Sequence, residues 1–150
     1  MGLLQEADWK ADWITLDLSG ENGDPEYELP PAPCLRKEFT IPGKIQSARL
    51  YVTALGLYEM YLNDIRVGDQ AFTPGWTDYT TRLHYNVHDV TGQVRTGANA
   101  LGSMLSYGCS SGYVGYAVSV AHPRKKDFYG RGAAVLCQLE VSLEDGSVMP

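Results

Sequence analysis

From residue 35 onward apolar and polar positions alternate with a period of two, the spacing of a β-strand with one buried face. Leu35-Arg36-Lys37-Glu38-Phe39-Thr40-Ile41 predicts a strand that stops at the turn pair Pro42-Gly43. Ala48, Leu50, Val52 and Ala54 share one face of a second strand, which runs to Leu55 before Gly56 breaks it. Tyr58-Glu59-Met60-Tyr61-Leu62 and Ile65-Arg66-Val67 read as two arms of a hairpin joined by Asn63-Asp64. Thr81 through Val90 predicts another strand, with Leu83, Tyr85 and Val87 on its apolar face and Arg82, His84, Asn86 and His88 on its polar face. Ala100–Leu105 and Ala133–Leu143 complete the set; Val135, Cys137, Leu139, Val141 and Leu143 line one face of the last strand.

Helical periodicity is almost absent, and the single candidate is a short turn over 89–95. About seven strands with turn signals at short intervals predict an all-β fold, an antiparallel jelly-roll-like β-sandwich of galactose-binding-domain-like type. Residues 1–34 form an irregular N-terminal lead-in rich in Gly and Pro, with Trp9 and Trp13 as anchors onto a sheet; residues 35–150 form the sandwich. The final turn, Glu144-Asp145-Gly146-Ser147, leaves little chain for a return strand, so a truncated hairpin inside a longer polypeptide is expected.

Composition narrows the partners. The chain has 150 residues, a net charge of −6 and 44% hydrophobic residues, which suits one folded domain and gives no broad basic face for nucleic acid or anionic membrane. No stretch approaches the ~20 apolar residues of a membrane helix, and the N-terminus has no signal-peptide pattern. Cys34, Cys109 and Cys137 are too scattered for a zinc site or a disulfide framework and read as three small core residues.

Catalytic motifs are lacking. There is no Gly-x-Ser-x-Gly elbow, phosphate loop or His-Glu-x-x-His, and His84 and His88, about 13–14 Å apart on one strand, cannot share a metal. No catalytic residue and no metal ligand is assigned. Sugar recognition needs flat aromatic rings beside polar groups of fixed direction. Two segments have that composition: 74–82, with Trp76, Asp78, Tyr79 and Arg82, and 107–116, with Tyr107 and Tyr113. The structural alternative makes Trp76 a plug at the end of the sandwich and pairs Asp78 with Arg82.

Read in order, these segments resemble the N-terminal β-sandwich domain of bacterial α-L-rhamnosidases of glycoside hydrolase family 78. The likeness runs from Leu35-Arg36-Lys37-Glu38-Phe39 through Ser47–Glu59, Tyr61-Leu62-Asn63-Asp64-Ile65-Arg66-Val67-Gly68-Asp69, Pro74-Gly75-Trp76-Thr77-Asp78-Tyr79 and Gly97-Ala98-Asn99-Ala100-Leu101-Gly102 to Tyr129-Gly130. It implies a non-catalytic accessory domain of an inverting hydrolase that removes terminal α-L-rhamnose, with its catalytic carboxylates on a separate (α/α)₆ barrel outside this chain. Its partners would be the other domains of that polypeptide and rhamnose-containing carbohydrate, with calcium as an occasional companion and a periplasmic or secreted parent enzyme. An autonomous carbohydrate-binding module is the second reading. Where the family commonly has Asp-Gly-Trp, this chain has Tyr107-Gly108-Cys109, without the acid and the stacking ring.

Overall fold

The computed structural model describes residues 4–16, 31–112, 127, 129, 130 and 132–150. Two antiparallel sheets face each other. One has the order β1-β8-β3-β6, from Ile14–Thr15, Ala134–Leu143, Ile45–Leu55 and Asn86–Asp89, with β9 (Val148–Met149) also pairing with β8. The other has the order β2-β7-β4-β5, from Cys34–Ile41, Gly97–Ser106, Leu57–Leu62 and Ile65–Arg66. The chain is therefore an antiparallel β-sandwich.

The alternation along β3 is what drives the packing. Ala48, Leu50, Val52 and Ala54 are all 1% exposed or less and meet Val135 and Val141 of β8 and Met60, Leu62 and Leu105 of the opposite sheet. Burial of each large side chain contributes about 1.5–3 kcal/mol. The Asn63-Asp64 turn adopts φ of 51° and 68°, the two positive values a two-residue hairpin of this twist requires.

The other face of β3 is also covered. Tyr51 is 3% exposed because Trp9 packs edge-on against it, with ring centroids 6.4 Å apart, and against Tyr85 at 5.7 Å. The Lys10 N–H donates to Gln138 Oε1 at 2.7 Å, and Gln138 Nε2 donates to the Asp8 carbonyl at 3.2 Å. The described N-terminal part of the lead-in thus straps the outer face of the first sheet and includes β1, which pairs with β8. Trp9 is the anchor; Trp13 is 42% exposed and does not serve as one.

Several expectations need correction. The strand expected over Thr81–Val90 is only Asn86–Asp89, and its faces are reversed: Val87 lies outside opposite Tyr51, while His88 and Asn86 lie opposite core-facing Leu50 and Val52. Cross-strand partners share a face, so the register of β6 on β3 overrules its own polarity pattern. His84 precedes the strand, so it does not share a strand face with His88. The 89–95 turn contains no helix; the described helical turns are Glu6–Asp8 and α1 (Gly108–Ser111). Cys34 is exposed and Cys109 and Cys137 are half-buried, so none is a fully buried core residue.

Candidate functional site

The segment around Trp76 is held at both ends. Thr73 is pinned to β4 by a reciprocal pair: the Tyr58 N–H donates to the Thr73 carbonyl at 2.9 Å, and Thr73 Oγ1 donates to the Tyr58 carbonyl at 2.7 Å. Gly75 then takes φ of 95°, a value that favours glycine, and the chain presents Trp76 with 63% of its surface exposed. Beyond it, Asp78 closes a turn by accepting from Thr80 N at 3.1 Å, Thr80 Oγ1 at 2.6 Å and Thr81 Oγ1 at 3.0 Å. The Thr80 hydroxyl, followed by the Thr80 N–H and the Thr81 hydroxyl, holds the Asp78 carboxyl below its ordinary pKa.

Tyr79 points the other way. Its ring packs against Tyr129 at 5.1 Å between centroids, and burial, with Cys109 and Tyr129 beside it, pushes its phenol pKa up. The Tyr79 hydroxyl is buried and has no partner among the described residues. Tyr129 in turn donates its N–H to the Ser110 carbonyl at 3.2 Å, so the 74–82 segment and the loop that begins at Tyr107 meet through Tyr79 and Tyr129. Tyr107 packs partly buried against the core.

Of the six sequence-derived candidates, Trp76, Asp78 and Arg82 are exposed on one loop, Tyr79 is its half-buried anchor, and Tyr107 supports the core. Tyr113 lies outside the described residues. Trp76 is not a plug, and Asp78 is satisfied by Thr80 and Thr81 instead of an ion pair with Arg82, which donates its N–H to the Asp78 carbonyl at 3.0 Å. Sequence reasoning passed over Phe72, which is 77% exposed with φ of 58°, a conformation unusual for a bulky residue. Nothing in the apolar pattern separates it from a core phenylalanine.

A polar cluster supports this loop from below. Burial pushes the Tyr58 phenol up to about 12, and it donates to Asn86 Oδ1 at 2.9 Å. Asn86 Nδ2 donates to Gln70 Oε1 at 3.1 Å, and Arg66 Nη2 donates to the Gln70 carbonyl at 2.8 Å. The inward-turned residues of β6 thus tie down the 67–72 segment. Among the described residues no group of three His, Cys, Asp or Glu side chains is placed to hold a metal ion.

Known proteins place this arrangement. A family model described as the Alpha-L-rhamnosidase N-terminal domain matches residues 43–149. An Aspergillus terreus α-L-rhamnosidase structure aligns with 99% of the chain at 40% identity and a TM-score of 0.85, using 16% of its own length. The structure of Streptomyces avermitilis α-L-rhamnosidase complexed with L-rhamnose aligns with 79% of the chain at 46% identity and a TM-score of 0.72, over 11% of its own length. A Formosa agariphila α-L-rhamnosidase is 34% identical over 98% of this chain and 15% of its own. The chain therefore spans only about a sixth or less of the relatives it matches. With the matched segment running from the turn at Gly43 to β9, this chain belongs to the α-L-rhamnosidase N-terminal domain family.

Proposed function

We propose that the chain is a non-catalytic accessory domain of an α-L-rhamnosidase, a hydrolase of terminal α-L-rhamnosides whose catalytic barrel is another part of the same polypeptide. The observation that carries this reading is coverage: the chain matches the N-terminal domain over residues 43–149 and spans about a sixth or less of its α-L-rhamnosidase relatives. A glycosidase general acid needs a carboxyl with a raised pKa across the sugar from a second carboxylate. Among the described residues, the carboxyls with a displaced pKa, Asp78, Asp89 and Asp145, all move downward, each held first by a neighbouring hydroxyl (Thr80, Thr91 and Ser147). None of these three has the raised pKa of a general acid.

The domain's contribution is positional: it docks on neighbouring domains and presents the Trp76 loop. The purified chain should leave a nitrophenyl α-L-rhamnoside intact, whereas the longer polypeptide cleaves it. Hydrolysis by the 150-residue chain alone overturns the reading.

Exposed Trp76 on a pinned loop favours a second role, direct sugar binding. Its ring would stack on a rhamnose face, with Asp78 and Arg82 as polar neighbours and Tyr79 holding the loop. L-rhamnose titrated with and without calcium should quench or shift Trp76 fluorescence, and a flat titration at millimolar sugar removes this role.

A further inference from the structure

Among the described residues, the two sheets do not close on one side of the sandwich. On its outer edge β8 pairs with β1 at Ala134 and Val135 and with β9 at Val141 and Ser142. Residues 136–140 have no strand partner on that edge among the described residues. Across from this gap runs β2, itself an edge strand paired with β7 alone among the described strands. Between the two edges lies a cavity of about 590 Å³, lined by Leu35, Phe39, Leu101, Val135, Leu139 and Met149. That volume falls within the ~300–1,000 Å³ of small-molecule sites, and apolar walls of this kind offer water few partners.

Among the described residues, the charged side chains that line it have one sign. Lys10, Arg36 and Lys37 line the cavity, and no acidic side chain of the described residues does. Arg36 is held by Glu38 at 2.6 Å, whereas Lys10 and Lys37 have no ion pair among the described residues. Lys37 falls in register between Leu35 and Phe39, so it occupies an inward position of β2. The Lys10 backbone is fixed at the rim by its N–H bond to Gln138. Apolar walls with unpaired cations at the mouth complement an apolar body that ends in an anion.

We propose that this cleft binds a small amphipathic carboxylate, its apolar body between the sheets and its carboxylate against Lys10 and Lys37. The site is separate from the Trp76 loop and does not depend on sugar recognition.

Decanoate and 1-decanol, equal in chain length and different in charge, test it by calorimetry on the 150-residue chain. Decanoate should saturate one site and decanol should bind at least tenfold more weakly. Lys37→Gln should weaken decanoate at least tenfold and leave decanol unchanged. Cys137 also lines the cleft while Cys34 is exposed outside it. Decanoate should therefore slow alkylation of Cys137 by N-ethylmaleimide at least tenfold and spare Cys34, a readout that needs no variant. Absence of saturable binding, equal affinity for decanol, or an unprotected Cys137 overturns the proposal. So does a Lys37→Gln chain that self-associates with its decanoate affinity intact, since Lys37 would then only guard an edge strand.

Discussion

Asn63 Nδ2 donates to Asn99 Oδ1 at 2.8 Å, joining the β4–β5 turn to the start of β7 through a polar pair beneath the surface. Asn63 Oδ1 accepts from the Ala100 N–H at 3.0 Å, and Asn99 Nδ2 donates to the Arg95 carbonyl at 2.7 Å and to the Gly97 carbonyl at 2.9 Å. Asn99 is 3% exposed, so removing its amide strands the groups it satisfies. Asn99→Leu should cost about 2–3 kcal/mol in urea unfolding, with Asn63→Ala close behind, because a buried unpaired group loses ~1–3 kcal/mol. A loss under 0.5 kcal/mol would show that water replaces the network.

Gly56 separates β3 from β4 at φ of 133°, and a Cβ there would stand 2.2 Å from the Ser106 carbonyl oxygen. Backbone cannot give way as a flexible side chain can. Gly56→Ala is expected to destabilise the fold by about 3 kcal/mol or more, read as a lowered unfolding midpoint. Gly146→Ala has open space around its Cβ and only the φ of 85° to pay for, and should lose about 1 kcal/mol.

His88 sets a pH dependence. Its inward place on β6 puts Gly68 against the ring, and burial lowers its pKa, partly countered by Asp69. The folded state resists a proton that the unfolded chain accepts near pH 6.5, so stability is full above about 6.5 and declines as the pH falls below it. His88→Gln should flatten the stability profile below about pH 6.5. An unchanged slope would assign it elsewhere. Asp78, Asp89 and Asp145 act at lower pH: their lowered values add stability present above about 3.8 and lost as the pH falls further.

Trp9 and Trp76 should separate cleanly. Trp9→Ala uncovers Tyr51 and Tyr85 and should lower stability by about 2–4 kcal/mol with loss of near-ultraviolet dichroism. Trp76→Ala, at a 63% exposed position, should change stability by no more than about 0.5 kcal/mol. A large loss at Trp76 would restore its reading as a plug.

Much of the core was legible along the chain because Ala48, Leu50, Val52 and Ala54 on β3 and Val135, Leu139, Val141 and Leu143 on β8 each recur on a single face. Ala48, Leu50, Val52 and Ala54 are all buried on the face their spacing predicts. The Asn63-Asp64 turn was equally local, since positive φ at two successive residues is a property of residue type. β6 was misread because Leu83, Tyr85 and Val87 form an apolar stripe as convincing as any other in the chain. Trp9 explains that stripe: the lead-in supplies a second, outer apolar layer, and Tyr85 belongs to it.

Near-neighbour chemistry alone specified the long strands β2, β3, β4, β7 and β8, the tight turn and the family, because period-two burial and turn preferences act over a few residues. Long-range packing set which way His88 and Val87 face, left Trp76 open while anchoring Tyr79, and placed an apolar cleft between β2 and the β1–β8–β9 edge. Those depend on register and on contacts between residues far apart in the chain, such as Trp9 with Tyr85 and Tyr79 with Tyr129. No local pattern encodes them, since a side chain's exposure is set by whatever the rest of the fold brings against it.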